Sequence, residues 1–195
     1  MVVSRKHFII GITGAFGSGK TTAASFFREK DYKVVVLSQI LEEIAKKRKL
    51  SITRKNLQDI GNEIRLKSGA GSLIKQVLKK YASEKKLVID GLRNYEEIVE
   101  LKKIKGSVLL GIIADRDVRF ERLKNLKRRE KLTKELFEKL DLRDLGVGER
   151  ITGLQTAICI ALADFYIDSN INIKTFYKNL SKFLNDYERK FTNSN

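Results

Sequence analysis

A short stretch near the start of the chain constrains the fold more than any other feature. Residues 9–22, IIGITGAFGSGKTT, begin as an apolar run, break into glycines and end in Gly-Lys-Thr-Thr, and residues 23–27 continue in a helix-forming pattern. The fixed positions of the spacing G-x-x-x-x-G-K-[ST] are all present, namely Gly14, Gly19, Lys20 and Thr21. The alternative, a glycine-rich turn with a chance lysine, leaves the flanking elements unexplained. The stretch therefore predicts a buried strand, a phosphate-binding loop and a helix.

This loop predicts a site for a polyphosphate. Glycines let the backbone turn its N–H groups around an anion, and the start of the helix adds a partial positive charge. Lys20 is expected to reach the β and γ phosphates of ATP, and the Thr21 hydroxyl is the expected ligand of Mg²⁺. ATP and Mg²⁺ are thus the expected cofactors. The residues predicted to bind the nucleotide here are Gly14, Ala15, Phe16, Gly17, Ser18, Gly19, Lys20, Thr21 and Thr22.

Length and composition favour one domain and exclude several kinds of site. The chain has 195 residues, 42% of them hydrophobic, which is enough for one sizeable core. No apolar run reaches membrane-spanning length and no signal peptide precedes the first strand, so we expect a cytoplasmic protein without a membrane partner. The single cysteine, Cys159, excludes an internal disulfide and a multi-cysteine zinc site. His7 stands just before a strand, where a solvated or capping role is expected.

The formal net charge of +16 points toward nucleic acid, because a basic surface attracts polyanions. Many lysines, however, fall on predicted helix faces, as at residues 46–49 and 102–103, where a solvated face is the usual interpretation. Aromatic residues that could stack on bases do not interleave with these basic runs. Nucleic acid is therefore an open but not a favoured partner.

The order of predicted elements indicates an α/β protein, with a five-stranded parallel sheet in a three-layer α/β/α arrangement. β-branched and apolar runs predict the four later strands at residues 32–37, 87–91, 107–114 and 164–168. Helical spacing predicts helices at residues 39–49, 56–67, 72–81, 95–104, 117–139, 153–163 and 173–190. Ser38 is the predicted N-cap of the first of these.

The predicted organisation is one domain with two helical insertions. Three helices between the second and third strands are more than one crossover needs, so residues 38–84 form the first insertion. The charged stretch of residues 116–150 forms the second. The core then comprises residues 8–37, 86–115 and 151–190.

Asp90 and Arg93 are candidate site residues because they follow a predicted strand. In a doubly wound sheet the site lies beyond the carboxyl ends of the strands. Asp90 can bind Mg²⁺ through a water or orient Thr21, as a Walker B aspartate does. Arg93 can donate two parallel hydrogen bonds to a phosphate. The alternatives are an N-cap role for Asp90 and a surface position for Arg93.

These motifs resemble those of the P-loop nucleoside monophosphate kinase family. The phosphate loop, the turn Asp90-Gly91-Leu92-Arg93 and the charged helical stretch carry the resemblance. Segments at residues 37–43, 56–65, 69–71 and 119–123 resemble its archaeal-type branch, whose members are labelled adenylate-kinase-like or dephospho-CoA-kinase-like. The resemblance implies that the first insertion binds the acceptor and that the second is a basic lid.

A second likeness lies near the end of the chain. Residues 143–146, 153–156 and 159–164 are similar to the kinase-like module fused to deoxycytidylate deaminases, which implies a deoxynucleotide ligand. The deaminase itself is absent, because its zinc site needs H-x-E with P-C-x-x-C and this chain has neither.

The first resemblance also implies roles for individual residues. Arg65 and Arg93 would hold the phosphate of the acceptor, with Ser38 near its base or sugar, and Arg122 would lie against the base of ATP. Lys127 or Arg128 would be the lid cation over the transferring phosphoryl group, with Arg128 taken as the catalytic one. Arg129 is adjacent, and the sequence does not say which of these side chains points inward.

The sequence as a whole predicts an ATP-dependent phosphotransferase that acts on a small-molecule nucleotide, a nucleoside or deoxynucleoside monophosphate. Dephospho-CoA is the alternative acceptor, although Ser38 and Gln39 stand where that family has an aspartate. A nucleotide-dependent regulatory or nucleic-acid-binding ATPase is the alternative from a different class. The oligomeric state stays open.

Overall fold

The computed structural model describes residues 7–126, 131–170 and 172–193. Five parallel strands form its central sheet: β1 (Phe8–Thr13), β2 (Lys33–Val36), β3 (Lys86–Asp90), β4 (Val108–Ile113) and β5 (Phe165–Asp168). Their order across the sheet is β2-β3-β1-β4-β5. The predicted α/β fold with a five-stranded parallel sheet is confirmed. β3 and β2 lie on one side of β1, and β4 and β5 lie on the other. Folds with such a reversal of strand order bind ligands in the crevice beyond the carboxyl ends of the strands, next to β1.

The helices flank this sheet or extend beyond it. They are α1 (Lys20–Arg28), α2 (Leu37–Lys47), α3 (Arg54–Ser68), α4 (Ser72–Lys80), α5 (Tyr95–Lys102), α6 (Arg116–Lys124), α7 (Lys134–Leu145), α8 (Thr156–Ala161) and α9 (Ile173–Asn193). Three of them, α2 to α4, separate β2 from β3, as the spacing of apolar residues predicts. In the described part of the chain, no helix is both long enough and apolar enough to span a membrane.

Alternating side chains of the strands build two apolar layers. Ile10 of β1 packs in a cluster that contains Phe27 of α1 and Leu180 of α9. Ile9, the preceding residue, lies in the opposite cluster with Ile74 of α4. Because successive residues of a strand point to opposite faces, both faces of the sheet are covered and the phosphate loop is held on a rigid base.

The predicted N-cap of the first insertion is wrong. α2 follows β2 without a loop, its N-cap is Val36, and no side chain caps it. Ser38 therefore lies in the first turn of the helix. The direct passage from strand to helix leaves no residue for a separate capping turn, and it brings Ser38 to the edge of the main pocket.

The prediction of one long charged helix over residues 117–139 is also wrong. α6 ends at Lys124, and α7 begins at Lys134, where the Thr133 side chain accepts a hydrogen bond from the Leu136 amide. Polar and charged residues dominate this stretch, so the apolar spacing gave no sign of the break. The lid cations named from the sequence, Lys127, Arg128 and Arg129, lie outside the described residues.

Candidate active site

The phosphate loop joins β1 to α1 in the conformation that its glycines permit. Gly14, Gly17 and Gly19 have φ angles of 148°, 83° and 95°, which residues with a side chain rarely adopt. A Cβ atom on Gly14 would lie 2.3 Å from the carbonyl oxygen of Ile112, so the neighbouring strand also leaves no room for one. Gly19 is the N-cap of α1, which places the start of that helix against the pocket.

Lys20 lies across this loop and is buried. Its Nζ donates hydrogen bonds to the carbonyl oxygens of Gly14, at 2.6 Å, and Ala15, at 2.9 Å. Burial, followed by repulsion from Arg93, lowers the pKa of Lys20 to about 7, although the charges of Asp144 and Asp90 oppose the shift. Burial and the neighbouring Arg93 thus disfavour the charged ammonium, and the negative charges of a bound polyphosphate would favour it.

Asp90 ends β3 beside the phosphate loop, since it is the register partner of Ile12. Its carboxyl group is buried, and Oδ1 has no hydrogen-bond partner among the described residues. Burial raises the pKa of Asp90, and the charges of Lys20 and Arg93 oppose that rise. This unsatisfied oxygen and the nearby Thr21 hydroxyl fit a Mg²⁺ ion held by one or two side chains, water and phosphate oxygens. The described residues contain no group of three or more metal-binding side chains that could form a closed cage.

One pocket of about 600 Å³ unites most of the predicted residues. Phe16 to Thr22 of the loop line it, together with Ser38, Asp90, Arg93 and Arg122. Arg65 does not line it. The Nε and Nη2 atoms of that arginine each lie 2.9 Å from Oε1 of Glu97, in a buried ion pair, and Arg65 borders a smaller recess next to the pocket.

Asp144 joins two arginines at the edge of this pocket. Its buried Oδ1 accepts hydrogen bonds from Nη2 of Arg54, at 2.8 Å, and from Nη1 of Arg93. Burial alone would raise the pKa of Asp144, but the charges of Arg93 and Arg54 hold it below its usual value. Asp144 thus fixes two guanidinium groups that line the pocket, and guanidinium groups suit an anionic group of a ligand.

Phe16 of the phosphate loop contacts both insertions. The guanidinium carbon of Arg54 in α3 lies 4.4 Å from the centre of the Phe16 ring. Phe137 of α7 stacks on the same ring, with centres 6.2 Å apart and planes 26° apart. Arg119 of α6 donates a hydrogen bond of 2.9 Å to the Phe16 carbonyl oxygen and forms a buried ion pair with Asp141. The loop is therefore in direct contact with the segments on either side of the pocket.

Arg122 of α6 is tied to the loop through Ser169. Its guanidinium group donates to the Oγ and carbonyl oxygen of Ser169, and that hydroxyl donates to the Ser18 carbonyl oxygen at 2.7 Å. Arg122 thus lies at the phosphate-loop end of the pocket.

Arg54, Asp144 and Ser169 were not predicted from the sequence. Ser169 directly follows β5, and a position at the carboxyl end of a strand is the feature that indicated Asp90 at the end of β3. The same feature could have indicated Ser169. Arg54 and Asp144 carry no such signal, because neither stands at the end of a strand.

Comparison with known proteins places the chain in a family. The profile of the AAA domain matches residues 10–143. A UPF0200 protein of Sulfurisphaera tokodaii is 34% identical over 177 residues, which cover 90% of this chain and 95% of that protein. The chain belongs to the UPF0200 family of P-loop kinase-like proteins. A dephospho-CoA kinase of Fusobacterium nucleatum is 27% identical to this UPF0200 chain over 201 residues, or 90% of the chain and 96% of that enzyme.

A solved structure shows the same fold. The crystal structure of shikimate kinase from Bacteroides thetaiotaomicron has a TM-score of 0.60 with the UPF0200 chain and covers 91% of it, with 98% of its own length matched. At 17% sequence identity this likeness concerns the fold alone. The profile match and the UPF0200 relatives confirm the predicted P-loop kinase-like family, and the acceptor is a separate question.

The Arg122→Ala variant tests the nucleotide end of the pocket. We expect the KM for ATP to rise about 10-fold, while kcat and the KM of the acceptor stay within about 3-fold, because charge-assisted hydrogen bonds near the nucleotide would be lost. Arg189→Ala, at an exposed ion pair on α9, is the matched control. Steady-state kinetics with each substrate varied in turn measure both effects. A rise confined to the acceptor KM would contradict the assignment.

Proposed function

We propose that this UPF0200 protein transfers the γ-phosphoryl group of ATP·Mg²⁺ to a nucleoside or deoxynucleoside monophosphate. The observation that carries the proposal is that one pocket contains both halves of such a site. The phosphate loop with Lys20 lines one part of it, and Arg54 and Arg93 line another. In this proposal residues 38–84 bind the acceptor and residues 116–150 form the lid.

The pocket contains the groups that phosphoryl transfer requires. The reaction needs no covalent nucleophile, because positioning and neutralisation of charge supply most of the catalysis. Lys20 would neutralise the β and γ phosphates, and the guanidinium groups of Arg54 and Arg93, which both line the pocket, would hold the acceptor phosphate. Mg²⁺, when bound through Thr21 and Asp90, would screen the charge on the phosphate oxygens.

Dephospho-CoA is the second candidate acceptor. It is supported by the likeness to the dephospho-CoA kinase of Fusobacterium nucleatum, which extends over 90% of this chain. The two candidate acceptors differ in the chemical groups that must enter the pocket. A single assay can therefore compare them.

The test is a screen of acceptors by the release of ADP. The purified protein is incubated with ATP and Mg²⁺ and with each of the common NMPs and dNMPs, dephospho-CoA, shikimate, RNA or DNA. We expect one group of monophosphates to raise ADP release at least about 10-fold over ATP alone, since a bound acceptor displaces the competing water. Mass spectrometry of the product should show the matching nucleoside diphosphate.

Two results would overturn the proposal. If dephospho-CoA alone yields a phosphorylated product, the second candidate replaces the first. If RNA or DNA stimulates ADP release while no small acceptor is phosphorylated, the protein is a nucleic-acid-dependent ATPase. That stimulation should then weaken between low and high salt, because binding to the phosphate backbone releases counterions.

A further inference from the structure

The inward face of α3 is unusually polar for a buried helix face. Arg54, Gln58, Gly61 and Arg65 follow one another at helical spacing, and all four are buried. Burying such polar groups is unfavourable unless each finds a partner. An apolar face would stabilise the contacts with α2, α4 and α7 more simply, so these residues call for a role beyond packing.

These residues line a small recess that opens beside the main pocket. Its volume is about 30 Å³, which is room for one or two water molecules. Leu41, Leu57, Leu73 and Leu154 form apolar walls. Ser38, Arg54, Gly91 and Arg93 line both the recess and the main pocket, so a ligand in the pocket can extend an edge into the recess.

Two polar atoms in this lining have no hydrogen-bond partner among the described residues, namely Oε1 of Gln58 and Nη1 of Arg65. Both side chains are more than nine-tenths buried, with 4% of Gln58 and 2% of Arg65 exposed. Glu97 holds the other nitrogens of the Arg65 guanidinium, which fixes the direction of Nη1. Gln58 and Arg65 both line the recess, so each brings one polar atom without a partner to its surroundings, an acceptor and a donor respectively.

Gly61 makes room for this arrangement. A Cβ atom at this position would lie 3.2 Å from Nη1 of Arg65 and 3.4 Å from Cδ1 of Leu41. The missing side chain therefore lets the Arg65 guanidinium lie against the helix. A Cβ atom here would force Nη1 to shift by a few tenths of an ångström.

We infer that this recess binds the rim of the acceptor's nucleobase, with Gln58 accepting and Arg65 donating a hydrogen bond. Leucine walls suit a flat apolar ring, and each common base carries a donor next to an acceptor on its rim, at positions that differ from base to base. A polyol acceptor would place hydroxyl groups against those leucines, which is unfavourable. The inference rests on the proposed nucleotide acceptor. It assigns Arg65 to binding of the acceptor's base, whereas the sequence resemblance implied binding of the acceptor's phosphate.

The experiment compares the base preference of the wild type with that of Gln58→Met and Gly61→Ala. The first variant removes the acceptor atom at similar volume, and the second displaces Nη1 of Arg65 while alanine favours the helix. Gln76→Met, at an exposed position of α4, is the matched control. The values of kcat/KM are measured for AMP, GMP, CMP, UMP and their deoxy forms. Binding of the same nucleotides without ATP is measured by calorimetry.

We expect both variants to lower the ratio between the best and the next-best base about 10-fold, through KM, with the KM for ATP unchanged. The control should keep the wild-type ratio. If both variants phosphorylate monophosphates with an unchanged ratio between the best and the next-best base, the inference about the recess is overturned and the proposed function stands. Base-dependent binding that Gln58→Met abolishes, without any phosphoryl transfer, would support the recess and overturn the proposed function. A protein that binds no monophosphate would overturn both.

Discussion

Lys20→Ala is expected to lower acceptor-stimulated ADP formation by about 10³-fold, because a phosphate loop without its ammonium loses charge stabilisation where the phosphoryl group is transferred. The fold should persist. Within the described part of the chain, the Lys20 ammonium donates its hydrogen bonds to carbonyl oxygens of its own loop. Burial lowers the pKa of Lys20 to about 7, so its charge does not stabilise the fold.

The measurement is a single-turnover assay with the best acceptor of the screen, beside thermal melting with and without ATP. Lys79→Ala on the exposed surface of α4 is the matched control and should behave as wild type. A Lys20→Ala protein that retains more than about a tenth of the wild-type rate would contradict the assignment of the loop.

Asp144→Ala is expected to lower the free energy of unfolding by about 3 kcal/mol, because removing one partner of a buried ion pair leaves the other charges buried and uncompensated. Here two guanidinium groups, those of Arg54 and Arg93, lose their shared carboxylate. Urea unfolding measures the change. Asp186→Ala, which breaks the exposed pair with Arg189, should cost less than about 1 kcal/mol.

The sign of the pH dependence follows from the lowered pKa of Asp144. A carboxyl group with a lower pKa in the folded state stabilises the protein above its unfolded pKa, which is about 3.9 for aspartate. That stabilisation is lost as the pH falls through the folded pKa. The difference between wild type and Asp144→Ala should therefore shrink in acid, as the pH falls through the folded pKa of Asp144. A difference that grew in acid would contradict the ion pairs.

Local signals explain what the sequence could predict. The phosphate loop and Asp90 are each read from a few adjacent residues, because a buried strand ending in glycines or in a carboxylate carries its own signature. The five strands are apolar and β-branched, so their periodicity was clear. For the same reason the membership in a P-loop kinase-like family was predictable from residues 9–22 and 90–93.

The sequence could not predict those parts of the site that depend on contacts between distant segments. Arg54 and Asp144 are 90 residues apart, and neither is unusual among the many charged residues of this chain until the fold joins them. Gln58 looked like an ordinary polar residue of an amphipathic helix, since nothing local shows that its face is buried. The break between α6 and α7 was hidden because charged residues continue through it. The functional roles assigned to Arg65, Ser38 and the lid cations stay predictions.

The position of Phe16 has a consequence for how two ligands would share this protein. The Phe16 ring of the phosphate loop lies against Arg54, in the insertion proposed to bind the acceptor, and against Phe137 of α7. If a bound nucleotide shifts this ring, its contacts with both neighbours change, so we expect occupancy at one end of the pocket to change the free energy of binding at the other. Such heterotropic coupling is reciprocal by thermodynamic necessity: the factor by which ATP alters affinity for the acceptor is the factor by which the acceptor alters affinity for ATP.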